Sequence, residues 1–154
     1  MTCKTISLRI LLLSLLVMMG VPSLLAASSA GTSSASGTTQ QAAADVRGTW
    51  SGTFFSKHSN VAPFTMTVVI NPDARGHLVG NSTLNSDCLK GVQLEVTVTG
   101  LKVVLAGSDE EGDSITVRGT VDNTGTLLKA TYILNGSASG RCETDDGTGS
   151  LARR

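Results

Sequence analysis

From residue 46 onward, apolar and polar residues alternate with period two over short stretches broken by turn residues. This is the pattern of half-buried antiparallel strands. It predicts eight strands, at 46–55, 63–71, 77–85, 91–99, 101–107, 114–122, 126–135 and 137–152, the last with an irregular middle. Turn chemistry separates them: Asn71-Pro72-Asp73-Ala74-Arg75-Gly76, Gly100, Asp109-Glu110-Glu111-Gly112-Asp113, Asp122-Asn123-Thr124-Gly125 and Asn135-Gly136. Asn-Gly is the strongest short-range hairpin signal. Every connection is short, which favours sequential neighbours in a meander. No stretch shows a helical period.

The alternation sorts side chains into two faces. One carries Trp50, Gly52 and Phe54; Phe64, Met66, Val68 and Ile70; Leu78, Gly80, Ser82 and Leu84; Val92, Leu94, Val96 and Val98. It continues through Leu101, Val103 and Leu105; Ile115, Val117, Gly119 and Val121; Leu128, Ala130, Tyr132 and Leu134; and Ala138, Gly140 and Cys142. The other face is polar, with Thr65, Thr67, Asn81, Thr83, Gln93, Glu95, Thr97, Lys102, Thr116, Arg118, Thr120, Lys129 and Thr131. The expected fold is all-β: one antiparallel up-and-down barrel of about eight strands, in which closure removes the exposed edges. Its bulky inward residues predict a largely filled interior, with Trp50 in a buried structural role and Gly52 leaving room for the indole. Inward polar atoms reduce to Ser82 and the Tyr132 hydroxyl. The small inward residues Gly80, Gly119, Ala130 and Gly140 argue the other way, toward an internal cleft. In a filled barrel any partner is met at the rim or the outer wall, where Phe55, Val69, Val79, Val104 and Ile133 are available for an apolar patch.

The N-terminal part reads differently. Lys4 and Arg9 precede an almost wholly apolar run from Ile10 to Leu25, followed by Ser28-Ser29-Ala30 with small residues where signal peptidase needs them. Residues 1–30 therefore read as a secretory signal peptide. The run, about 16 residues long, falls short of the roughly 20 needed to span a bilayer, so no membrane span is expected after cleavage. Residues 31–45, rich in Ser, Ala, Thr, Gly and Gln, read as a low-complexity linker. That leaves 46–154 as the barrel domain, in a secreted or periplasmic protein.

Composition narrows the choice. Beyond residue 30 there are twelve acidic and ten basic side chains, and the basic ones are not clustered. This disfavours nucleic acid, whose phosphates require concentrated Lys and Arg. Of the three cysteines, Cys3 lies within the signal, leaving Cys88 and Cys142. Two cysteines in an exported chain most often pair. A loop of about 55 residues closed in this way is worth roughly 4 kcal/mol in the chain-entropy picture. Two free thiols are the alternative; a metal site has too few ligands.

Gly48-Thr49-Trp50 on the first strand, followed by an eight-strand meander, resembles the opening of the lipocalin and avidin group of small barrels. In that group the Trp closes the barrel bottom, often against an Arg near the C-terminus. The resemblance implies a structural role for Gly48 and Trp50, with Arg153 or Arg154 as the partner. The chain lacks the second and third lipocalin motifs, and Trp50 is its only Trp, whereas avidins line their biotin site with several.

Candidate chemistry is sparse. His58 and His77 are the only histidines, and Gly136-Ser137-Ala138-Ser139-Gly140 has Ala where a nucleophile elbow places Ser. The acidic run 109–113 offers hard oxygen ligands without EF-hand spacing and reads first as a solvated hairpin tip. Asn81 and Asn135 lie in glycosylation sequons, which matter only in a eukaryotic secretory pathway. No catalytic residue, cofactor or metal is indicated. The expected function is an exported non-catalytic binding or interaction module, its partner an unidentified protein or a small hydrophobic ligand. A lipocalin-like carrier and a small extracytoplasmic hydrolase are the alternatives.

Overall fold

The computed structural model describes residues 42–85, 88–89 and 91–154. The expected signal peptide and most of the linker lie outside them. Eight strands follow in order: β1 Gly48–Ser56, β2 Phe64–Pro72, β3 Leu78–Leu84, β4 Gln93–Thr99, β5 Lys102–Ser108, β6 Ser114–Val121, β7 Leu127–Asn135 and β8 Asp145–Arg153. Each pairs antiparallel with its neighbour, and β1 pairs with β8, from Trp50↔Arg153 to Ser56↔Gly147, to close the barrel.

The two faces separate as the alternation requires. Phe54, Met66, Val68, Leu94, Leu105, Ile115, Val117 and Leu151 are fully buried. Side chains therefore fill the middle of the barrel. The outward rows stay polar, the reverse of a lipid-facing barrel, which is apolar outside and polar within. Nor do the outward apolar residues form a patch. Val69 sits between Thr49 and Asn81, Val79 between Asn71 and Glu95, Val104 between Thr97 and Arg118, and Ile133 between Thr116 and Asp146, while Phe55 lies beside Thr148.

Two expectations are corrected. The last strand starts at Asp145, not at 137. Residues 136–144 instead form a loop, because the buried Asp113 carboxylate draws in three of its backbone N–H groups, those of Ser137, Arg141 and Cys142. The inward residues of β8 are consequently the odd-numbered ones, including Asp145, Gly147 and Leu151. A one-residue shift flips every side chain of a strand to the other face. Ala138 is exposed and outside any strand, and Cys142 is buried through the loop. Gly52, in turn, does not make space for the indole. A Cβ there would collide with the Ser150 carbonyl of β8, and one at Gly149 would meet the Thr53 carbonyl and the Phe54 ring. Glycine on both sides of the β1–β8 seam lets the two backbones close in on each other.

The hairpins of 73–76, 109–112 and 122–125 share one construction, Asp-x-x-Gly. The Gly has positive φ (86°, 90° and 71°) and donates its N–H to the carbonyl of the Asp. The Asp side chain accepts from the N–H four residues on, at His77, Asp113 and Thr126. A left-handed residue is required at the fourth position, and Gly takes it without steric cost.

Candidate functional site

The two ends of the barrel are built differently. At one end lie the turns 73–77, 100–101 and 122–126 together with the outer ends of β1 and β8. Trp50 is buried there, and its indole Nε1 donates to the Val46 carbonyl at 2.8 Å. The Arg153 guanidinium lies over the indole, 4.9 Å from the ring centroid, and donates to the Asp45 carbonyl. Of the two expected arginine partners it is thus Arg153 that packs on Trp50, while Arg154 extends the ladder through its N–H to Thr49. Gly48, at φ 114°, begins β1 where the chain turns in from Val46. Among the described residues the inward polar groups of this end are bonded within it, save the Arg153 Nε, which is buried without a partner.

The other end carries the longer connections 57–63, 85–92 and 136–144 and the five-residue turn 109–113. Cys88 and Cys142 form a disulfide between two of them, their Cα atoms 4.9 Å apart. Below the rim, Phe54 stacks on Phe64 with centroids 5.3 Å apart, and Tyr132 sets its ring edge-on to both. Three inward polar groups sit above them. Asp145, at 8% exposure, accepts from the Ser56 hydroxyl at 2.6 Å and from the Tyr132 hydroxyl. Burial works against its charge, but the Ser56 and Tyr132 hydroxyls, the Asp146 N–H and the field of nearby His58 outweigh it, so the carboxyl is held below its ordinary range. Burial and the neighbouring carboxylate push the Tyr132 phenol well above its own ordinary value, so it stays a donor.

Asp145 faces a cavity of about 390 Å³ at the rim, lined by Val61, Ala62, Phe64, Leu84, Leu134 and Cys88 on its apolar side and by His58, Asn60, Glu143 and Thr144 on its polar side. Among the described residues no Lys, Arg or His lies within salt-bridge distance of Asp145. The nearby Lys57 is paired with Asp146, and His58 stands 3.8 Å from that same carboxylate. A second hollow, of about 560 Å³, lies beside Leu89 and Arg141, along the acidic run. Carboxylate oxygens of Asp109, Glu111 and Asp113 lie there within 4.8 Å of one another. Both aspartates are already spent on backbone donors: Asp109 on its own turn, Asp113 on the 136–144 loop. The Ser137 N–H, against the penalty of burial and with the Cys142 and Arg141 N–H groups, holds Asp113 below its ordinary range.

Neither histidine ring is hydrogen-bonded to a serine hydroxyl among the described residues. Ser56 is tied to Asp145, and Ser137 and Ser139 donate to the Glu111 carbonyl. His77 lies 3.6 Å from Asp73 at the opposite end from His58. The sequence pattern did not reveal Ser56 and Asp145 as inward polar groups. Asp145 was hidden because Asp145-Asp146-Gly147 reads by composition as a solvated acidic turn, whereas β8 begins there with Asp145 buried. The signal available was Leu151, whose burial demands the odd register and brings Asp145 inside with it. The chain matches no protein-family model, no curated protein and no solved structure.

Proposed function

We propose that this protein is an exported, non-catalytic binding module that holds a small, largely apolar molecule in the cavity at its open rim. Export is supported by the N-terminal pattern, and the Cys88–Cys142 disulfide suits an oxidising compartment. The packed interior and the scattered outward apolar residues leave the rim as the contact surface. The observation that carries the reading is the cavity itself. At about 390 Å³ it falls within the range of small-molecule sites, which combine apolar walls with a few placed polar groups. The closure of the opposite end by Gly48, Trp50 and Arg153 supports the resemblance to lipocalin-like carriers in architecture, while the absence of their other motifs leaves the ligand to be read from this chain alone.

A neutral solvatochromic dye titrated against the secreted protein tests this. Saturable one-to-one binding is expected, and Ala62→Trp, which places an indole in the cavity from an exposed loop residue, should abolish it. The native Trp50 emission should hardly change, because Trp50 lies four residues down β1 from Phe54, about 13 Å at strand rise. Absent saturation, or saturation indifferent to Ala62→Trp, would refute the reading.

A further inference from the structure

The rim cavity has an electrostatic character that its apolar walls do not explain. Asp145 begins β8 on the inner face, nine-tenths buried, and accepts from Ser56 and Tyr132. An ionised carboxylate has about four acceptor positions, so the two hydroxyls and one backbone N–H leave room for another donor. An isolated buried charge is costly unless it is paired. Among the described residues the cations near the rim are drawn elsewhere: Lys57 is paired with Asp146, His58 on the cavity wall faces that same carboxylate while also favouring the Asp145 charge, and Arg141 lies along the second hollow. The other acidic side chain on the cavity wall, Glu143, adds charge of the same sign. A neutral apolar ligand would leave the remaining acceptor position of Asp145 unfilled and would dry it.

We infer that the rim cavity selects ligands with an apolar body and a cationic amine head, the ammonium donating to Asp145 beside Glu143 while the body lies on Phe64, Leu84 and Leu134. This inference rests on the rim-binding reading above and adds the ligand class. An ammonium donor suits the site because it brings up to three N–H groups and a countercharge in one compact head. A charge-assisted hydrogen bond is roughly twice as strong as a neutral one. An anionic head on the same body meets the two carboxylates of Asp145 and Glu143.

Three probes with one skeleton separate the possibilities: 4-phenylbutylamine, 4-phenylbutan-1-ol and 4-phenylbutyrate, each titrated calorimetrically against the full secreted protein at neutral pH. The amine is expected to bind at least about ten-fold tighter than the alcohol, with the carboxylate weakest. Glu143→Gln, at an exposed loop position, should narrow the amine–alcohol gap without altering the fold. Asp145→Asn should abolish the gap if it folds; the wild-type probe series decides the matter if it does not. Equal binding of amine and alcohol, or tighter binding of the carboxylate, overturns the ligand class and leaves rim binding standing. No binding by any of the three, together with a failed dye titration, overturns both.

Discussion

At the closed end of the barrel the inward polar groups, the Arg153 Nε apart, are consumed in closing it. The Trp50 indole is bonded to Val46, and the Arg153 guanidinium is stacked on Trp50 and bonded to Asp45. At the open end Asp145, equally inward, is bonded to two hydroxyls and a backbone N–H, and among the described residues no Lys, Arg or His lies within salt-bridge distance of it where it faces the 390 Å³ cavity. Both ends are made of the same alternating strands. The difference lies in the connections: short turns at one end, and at the other one such turn together with three longer connections, of which 136–144 is tied down by Asp113 and a disulfide. A filled barrel can thus keep an open end without hollowing its core.

The sharpest test of that contrast removes one large side chain from each end. Trp50→Ala should cost on the order of 3–5 kcal/mol, because the indole is fully buried and nothing nearby can move in to replace it. Leu134→Ala, on the cavity wall and only half-buried, should cost less than about 2 kcal/mol, since the space it vacates already communicates with solvent. Denaturant midpoints at constant slope report both. Equal losses would mean the two ends are packed alike.

Next in size is the disulfide, which closes a separation of 54 residues. Replacing Cys88 and Cys142 by Ala should destabilise by roughly 2–4 kcal/mol, mostly through the unfolded chain. Its local signature should be one-sided. Amide exchange should quicken at Ser137, Arg141 and Cys142, which are held on Asp113, and remain slow at the β1–β8 seam near Trp50. Uniform quickening would show that the tie serves the whole barrel rather than the open end.

The architecture was legible because it depends on a pattern repeated over eight strands. Period-two alternation set the faces, and short turns left the meander as the only economical path. The open end was not legible, because it depends on one parity. Nothing in the spacing of residues 136–144 announces that Asp113, more than twenty residues upstream, will capture three of their N–H groups and convert the start of a strand into a loop. The acidic run 109–113 shows the same limit from the other side. Its composition invites a cation, yet Asp109 does what Asp73 and Asp122 do, holding an Asp-x-x-Gly turn. That shared spacing was present in the sequence as three separate turn clusters.

Tyr132→Phe probes the open end with a smaller effect. It removes one of the hydroxyls holding Asp145 ionised and should cost about 1–3 kcal/mol, the range for leaving a buried acceptor short of a partner. The pH dependence has a definite sign. The folded carboxyl of Asp145 lies below its unfolded value, so its contribution is present above the unfolded value near pH 4 and is lost as pH falls through the folded one. Taking away a donor raises the folded value toward the unfolded one, so the acid loss of stability, which begins near the unfolded value in both proteins, should be smaller in the variant and end at a higher pH. An acid limb that does not move would show that Tyr132 is not what keeps Asp145 charged.

The smallest expected effect lies at the closed end, at Arg153. Its guanidinium has two roles there, lying flat on the indole and donating to the Asp45 carbonyl, while its Nε is buried without a partner. The unpaired Nε works against the favourable pair, so the net contribution is modest. A guanidinium–indole contact at a partly exposed site is worth about 0.5–1 kcal/mol. Arg153→Met keeps the apolar stem over Trp50 and removes both the charge and the donor. Arg153→Lys keeps the charge but not the planar stack, which an ammonium does not reproduce. If the stack matters, both variants should lose about 1 kcal/mol in chemical denaturation, and Trp50 emission should shift toward that of a more exposed indole. If only the charge matters, Lys should match the wild type and Met should not. Unchanged midpoints and emission in both would show that Trp50 seals this end without help, and that the chain is closed there by burial alone.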